Sequence, residues 1–75
     1  MERVRITRSA RKHRVGAAHI RAAMIDAGEP EVDGDAFVYT GRDDRGIELE
    51  IIAVPDDRFQ GLAVVHAMPT SYRGR

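Results

Sequence analysis

Apolar and polar positions alternate at the start of the chain, fall into helical spacing after residue 16, and return to period two after residue 35. The opening run, Glu2-Arg3-Val4-Arg5-Ile6, predicts a short strand with Val4 and Ile6 toward a core and Arg3 and Arg5 outward. Thr7 or Ser9 then caps a short first helix over residues 8–14, which Gly16 ends, with Val15 tucked beneath the turn. Ala17, Ile20, Ala23, Met24 and Ala27 recur at the spacing of one helical face, and Gly28 followed by Pro30 stops this second helix.

Residues 31–34 read as a polar connector. Residues 36–40 are apolar, β-branched or aromatic, residues 41–46 (Gly-Arg-Asp-Asp-Arg-Gly) are a turn signal, and residues 47–54 carry the strongest strand pattern. A second turn over residues 55–61 leads to a strand over residues 62–68, which Pro69 ends. In the middle strand Ile47, Leu49, Ile51 and Ala53 share the face assigned to the helices, and Glu48, Glu50, Ile52 and Val54 share the other. In the last strand the small residues Ala63, Val65 and Ala67 suit the helix-covered face, which puts Leu62, Val64, His66 and Met68 on the open side. The expected architecture is α+β: two N-terminal helices packed on one face of an antiparallel sheet of about four strands, a single domain over residues 1–75.

Composition narrows the function classes. A chain of 75 residues without Cys or Trp is too small for a multidomain enzyme and has neither disulfide staples nor cysteine-ligated zinc. At this length about 60% of the extendable surface is buried on folding, so most apolar residues must share one core. No run reaches the roughly 18 apolar residues of a membrane helix, and the charged start is followed by no signal-peptide core, so a cytoplasmic protein with no membrane partner is expected.

The formal charge of zero hides a segregation. Residues 1–21 hold seven cations against Glu2 alone, residues 26–57 hold eleven carboxylates against Arg42 and Arg45, and the remainder adds Arg58, Arg73 and Arg75. Such a chain presents one surface to a polyanion and another to a basic protein, or neutralises itself by packing the segments together.

Candidate chemistry gathers on the open sheet face. His66 lies there across from Glu48 or Glu50, and a carboxylate that orients an imidazole makes an acid–base pair near neutral pH; a strand histidine satisfied by a neighbour is the plainer alternative. His13 and His19 lack the spacing of two ligands on one helical face, and no metal or other cofactor is expected. The Asp43-Asp44 and Asp56-Asp57 pairs sit in turns, where Asp accepts backbone hydrogen bonds. After Pro69, Tyr72 stands beside Arg73, a pairing that stacks a base and neutralises a phosphate.

The run Arg11-Lys12-His13-Arg14-Val15 ahead of a short amphipathic helix, then a hairpin meander, then Val64-Val65-His66-Ala67 and a basic tail, resembles the BrnT-type toxins of the RelE/ParE superfamily. The resemblance covers most of the chain in element order. It implies a RelE-like fold, a metal-independent ribonuclease that cradles RNA, on the ribosome or free, and a tightly bound antitoxin of the ribbon-helix-helix or a similar class. Such an enzyme removes the 2′-hydroxyl proton, stabilises the phosphorane and protonates the leaving 5′-oxygen. Glu50 or His66 is then base or acid, Arg73 with Arg42 or Arg45 clamps the phosphate, and Lys12, His13 and Tyr72 contact RNA. Two other classes compete: a non-catalytic module that dimerises or holds a partner protein, and, more weakly, a DNA-binding accessory.

Overall fold

The computed structural model describes residues 3–58 and 60–72. Strand β1 (Arg3–Ile6) leads through a 3₁₀ turn (Ser9–Arg11) into helix α1 (Ala17–Ala27); β2 (Glu31–Asp33), β3 (Ala36–Arg42), β4 (Glu48–Pro55) and β5 (Gly61–Pro69) follow, and a last 3₁₀ turn spans Thr70–Tyr72. The five strands form one sheet in the order β1-β5-β4-β3-β2, with β1 parallel to β5 and every other pair antiparallel.

This corrects the expected two helices on an antiparallel four-stranded sheet in three places. The expected helix over residues 8–14 is only a 3₁₀ turn. It is too short for a helix to sustain itself, and Arg14, at φ 62°, takes the left-handed conformation that ends it. The expected connector at residues 31–34 contains a strand, β2, joined to β3 through the two-residue loop Gly34-Asp35. Gly34 has φ 61°, the positive value that a tight hairpin requires at its first loop position. Finally, β1 pairs in parallel with the first half of β5, Val4 opposite Leu62 and Ile6 opposite Val64.

The core lies between α1 and one sheet face. Ile20 of α1, Leu49 and Ile51 of β4 and Val64 of β5 are its largest fully buried side chains. Ala23, Tyr39, Ala53 and Ala67 complete it, with Val4, Ile6, Met24, Ala27 and Phe37 packed against them. Ile47, expected on the core face of the middle strand, lies in the turn before β4 and is exposed. Ala10, from the 3₁₀ turn that packs on β5, and Val15, from the loop that follows it, close the core on that side.

Helix α1 rests directly on the β3 backbone. A Cβ at Gly41 would collide with the Ala23 carbonyl oxygen and stand 2.7 Å from the Ala27 nitrogen. Two alanines and a glycine thus set the helix-to-sheet distance. Both ends of α1 are also tied to the β3–β4 hairpin: Asp26 accepts from the Arg42 amide at 2.8 Å, and His19 Nδ1 bonds Asp44.

A bulge in β5 sorts its residues between faces. Ile52 pairs with His66 but Ala53 pairs with Val64, leaving Val65 as the extra residue. Leu62, Val64 and Ala67 therefore face the core, whereas Val65 and His66 both reach the open face. His66 is on the expected side, but Leu62 and Val64 are not its companions there. Among the described residues, no helix is long and apolar enough to cross a membrane.

Gly41→Ala should lower unfolding free energy by about 3 kcal/mol, because backbone rather than a flexible side chain blocks the added methyl. Gly34→Ala, with open space around it, should cost about 1 kcal/mol through its positive φ alone. Urea denaturation of the two variants reads the difference.

Candidate functional site

Four segments converge where β5 passes its bulge. His66 projects from β5 with Nε2 3.5 Å from Glu50 Oε1 on neighbouring β4. The pair is only partly exposed, with side-chain accessibilities of 30% and 15%. The His13 ring meets His66 edge-on, centroids 5.9 Å apart at 80°. Tyr72 meets the same His13 ring at 5.8 Å and 85°.

Each partner is held by local chemistry. Thr7 Oγ1 donates to the Val64 carbonyl at 2.7 Å and accepts from the Ala10 amide, so the 3₁₀ segment is moored to β5 as it leaves β1. Arg14, in its left-handed conformation and bonded to the Arg11 carbonyl at 2.9 Å, then reverses the chain just after His13. On the other side, Pro69 ends β5, and Thr70 donates to Glu48 Oε1 at 2.8 Å, tethering the turn that carries Tyr72. Lys12 is exposed beside His13.

Of the expected site residues, the structure thus brings His66, Glu50, His13 and Tyr72 together, with Lys12 at their margin. Arg73 lies outside the described residues. Arg42 and Arg45 serve the β3–β4 hairpin instead. Arg42 donates to the Gly46 carbonyl at 2.9 Å, and Arg45 donates through Nε and a terminal nitrogen to Asp43 Oδ2 at 3.0 and 2.7 Å.

Asp43 organises that hairpin. Burial alone would raise its pKa, but hydrogen bonds from the Arg45 guanidinium and from the Ile47 and Arg45 amides outweigh it and hold the carboxyl below its ordinary value. Asp44 is lowered by its bond from His19. Donor atoms of His19, Asp43 and Asp44 lie within 4.8 Å of one another. Both Asp43 oxygens are, however, already occupied by hydrogen bonds, which fits a turn anchor better than a cation ligand.

The residue pair that sequence reasoning missed is Arg5 with Asp56. Arg5 donates to both Asp56 oxygens, at 2.8 and 3.4 Å, across the β1–β5 seam, and the Asp56 side chain is 1% exposed. Hydrogen bonding from Arg5, then from the Arg58 amide, lowers the Asp56 pKa, while the Arg5 value rises in return. The signal was half present: Arg5 alternates outward and Asp56 opens a turn, but only the parallel pairing joins them.

Comparison with protein-family models, curated proteins and solved structures gives no match.

The depressed carboxyls set an acid response. Their ionised forms are favoured in the folded state, so the stabilisation is complete above the ordinary Asp value of 3.8 and is lost as pH falls through the lower folded values. Asp56→Asn should therefore be less stable than the parent at pH 7, and the gap should narrow as the pH falls below 3.8. Urea midpoints measured across that range test both the sign and the window.

Proposed function

We propose that this protein is the toxin of a type II toxin–antitoxin system, a metal-independent RNA endonuclease that inhibits translation in the cytoplasm and is neutralised by a bound antitoxin of the ribbon-helix-helix or a similar class. The observation that carries the reading is the joining of two imidazoles, a carboxylate and a phenol from distant parts of the chain on the uncovered sheet face. Cleavage of RNA through its own 2′-hydroxyl needs one group to take a proton and another to return one to the leaving 5′-oxygen. Two histidines in contact supply both without any cofactor.

In this mechanism Glu50, with Oε1 3.5 Å from His66 Nε2, orients the imidazole ring. His66 and His13 exchange the two protons across the scissile phosphate, and Lys12 adds positive charge where the phosphorane forms. Tyr72 offers a ring on which a flanking base stacks. Arg42 and Arg45, engaged within their hairpin, are left out of the phosphate clamp assigned to them from sequence. Dependence on the 2′-hydroxyl restricts the substrate to RNA.

One observation favours a second reading, a non-catalytic protein-binding module. On the opposite side of the molecule the side chains of Val4, Met24 and Ile25 form an apolar groove of about 230 Å³, and Ile25 is 83% exposed. A module of this kind forms a partner complex and cleaves nothing.

Induced expression should arrest growth, and purified protein should cleave RNA equally with or without a chelator. His66→Ala and His13→Ala should each reduce the cleavage rate by about 10²–10⁴-fold, the usual contribution of a general acid or base. Absence of both toxicity and cleavage, with a stable partner complex, transfers the assignment to the binding module.

A further inference from the structure

The open face holds a second concavity, one residue from the histidine cluster. Val54 and Pro55 of β4, Ala63 and Val65 of β5, and Arg5, Thr7, Asp56, Asp57 and Arg58 around them line an open cleft of about 210 Å³. That is below the ~300 Å³ at which pockets for drug-sized ligands begin, so its occupant is a small unit or part of a longer ligand. We propose that this cleft seats the nucleotide adjoining the scissile phosphate of single-stranded RNA, an inference that rests on the ribonuclease reading of the His66 cluster.

Three observations converge on that occupant. The bulge places Val65, which lines the cleft, and His66, which carries the chemistry, in succession on the same face, about 3.8 Å apart along the backbone. A ligand filling the cleft is therefore within one chain step of a phosphate at His66. The cleft's chemistry is also divided as a nucleotide's is. Val54, Ala63 and Val65 give an apolar floor, and Arg58 stands at the rim. Arg5 is gripped through two nitrogens by buried Asp56, so its guanidinium plane is fixed before any ligand arrives. Arginine planes and apolar floors stack bases, while an exposed guanidinium such as that of Arg58 takes phosphate. Asp57, on the same rim, accepts hydrogen bonds and repels phosphate, which directs the outer phosphate toward Arg58.

The charge pattern fixes the route. Glu31 and Asp33 lie on the open side of β2, and Glu48 and Glu50 on that side of β4 with Arg42 of β3 opposite Glu48, whereas Arg3 and Arg5 lie on that side of β1. A polyanion follows the β1–β5 seam, from the Arg58 cleft past Val65 to His66, rather than crossing the acidic strands.

The test uses a fluorescein-labelled hexaribonucleotide carrying 2′-O-methyl groups, which cannot be cleaved through the 2′-oxygen, and reads binding by anisotropy. Arg58→Ala and Ala63→Tyr, the second filling the cleft, should each weaken binding about tenfold. Arg21→Ala, which removes the same charge from α1 on the far side, should leave it unchanged. Circular dichroism confirms folding, and Arg58→Ala at an exposed position stands alone if Ala63→Tyr does not fold. If the cleft variants bind as the parent does, or if Arg21→Ala weakens binding equally, the cleft is not a nucleotide site. Parallel assays on unmodified RNA separate the two claims. Cleavage by the parent with no effect of the cleft variants on binding overturns the cleft alone; loss of binding in those variants without cleavage by the parent supports the cleft and overturns the ribonuclease.

Discussion

One helix of eleven residues has to roof a sheet of five strands, and this disproportion governs the molecule. Such a helix is about 16 Å long and about 10 Å wide, while strands lie about 4.8 Å apart, so it covers roughly two of them. It settles on β3 and β4. The covered strip is packed tightly through Gly41, Ala23 and Ala27, and a 3₁₀ turn with Ala10 and the following loop with Val15 extend the roof over β5. The margins stay thin, as the exposure of Ile25 and Val32 shows. Among the described residues no helix packs on the other face, which carries Glu48, Glu50 and His66.

The bulge at Val65 converts that surplus face into something more specific. A regular β5 would have placed Leu62, Val64, His66 and Met68 on one side, forcing either a histidine into the core or two aliphatic side chains into water. One inserted residue removes the conflict: Val64 is fully buried and His66 stays outside beside Glu50. A stable core and an accessible imidazole are thus obtained from the same strand.

Much of this was legible in the sequence, for identifiable reasons. Period two in residues 47–54 and the stripe Ile20, Ala23, Met24, Ala27 are strong because burial on one face leaves a periodic trace, and β4 and α1 form there. The Asp-rich turns were read correctly as turn chemistry, since Asp43 and Asp56 both accept local amides. β2 left no such trace: Glu31, Val32 and Asp33 are all exposed, so nothing distinguishes them from a loop. The parallel placement of β1 depends on contacts nearly sixty residues away in the chain, as in Ile6 with Val64, and strand-local patterns do not encode them. For the site, alternation located His66 and Glu50. The meeting of His13 with His66 and Tyr72 required the Arg14 reversal and the bulge, neither of which has a periodic signature.

The seam between β1 and β5 also has a meaning in time. His13 lies near the start and Tyr72 at the end of the described residues, and the strand that moors the first finds its partner only in β5, the last strand among them. During synthesis the helix and the β3–β4 hairpin can form from short stretches of polypeptide, but the four convergent side chains cannot meet until residue 72 has emerged.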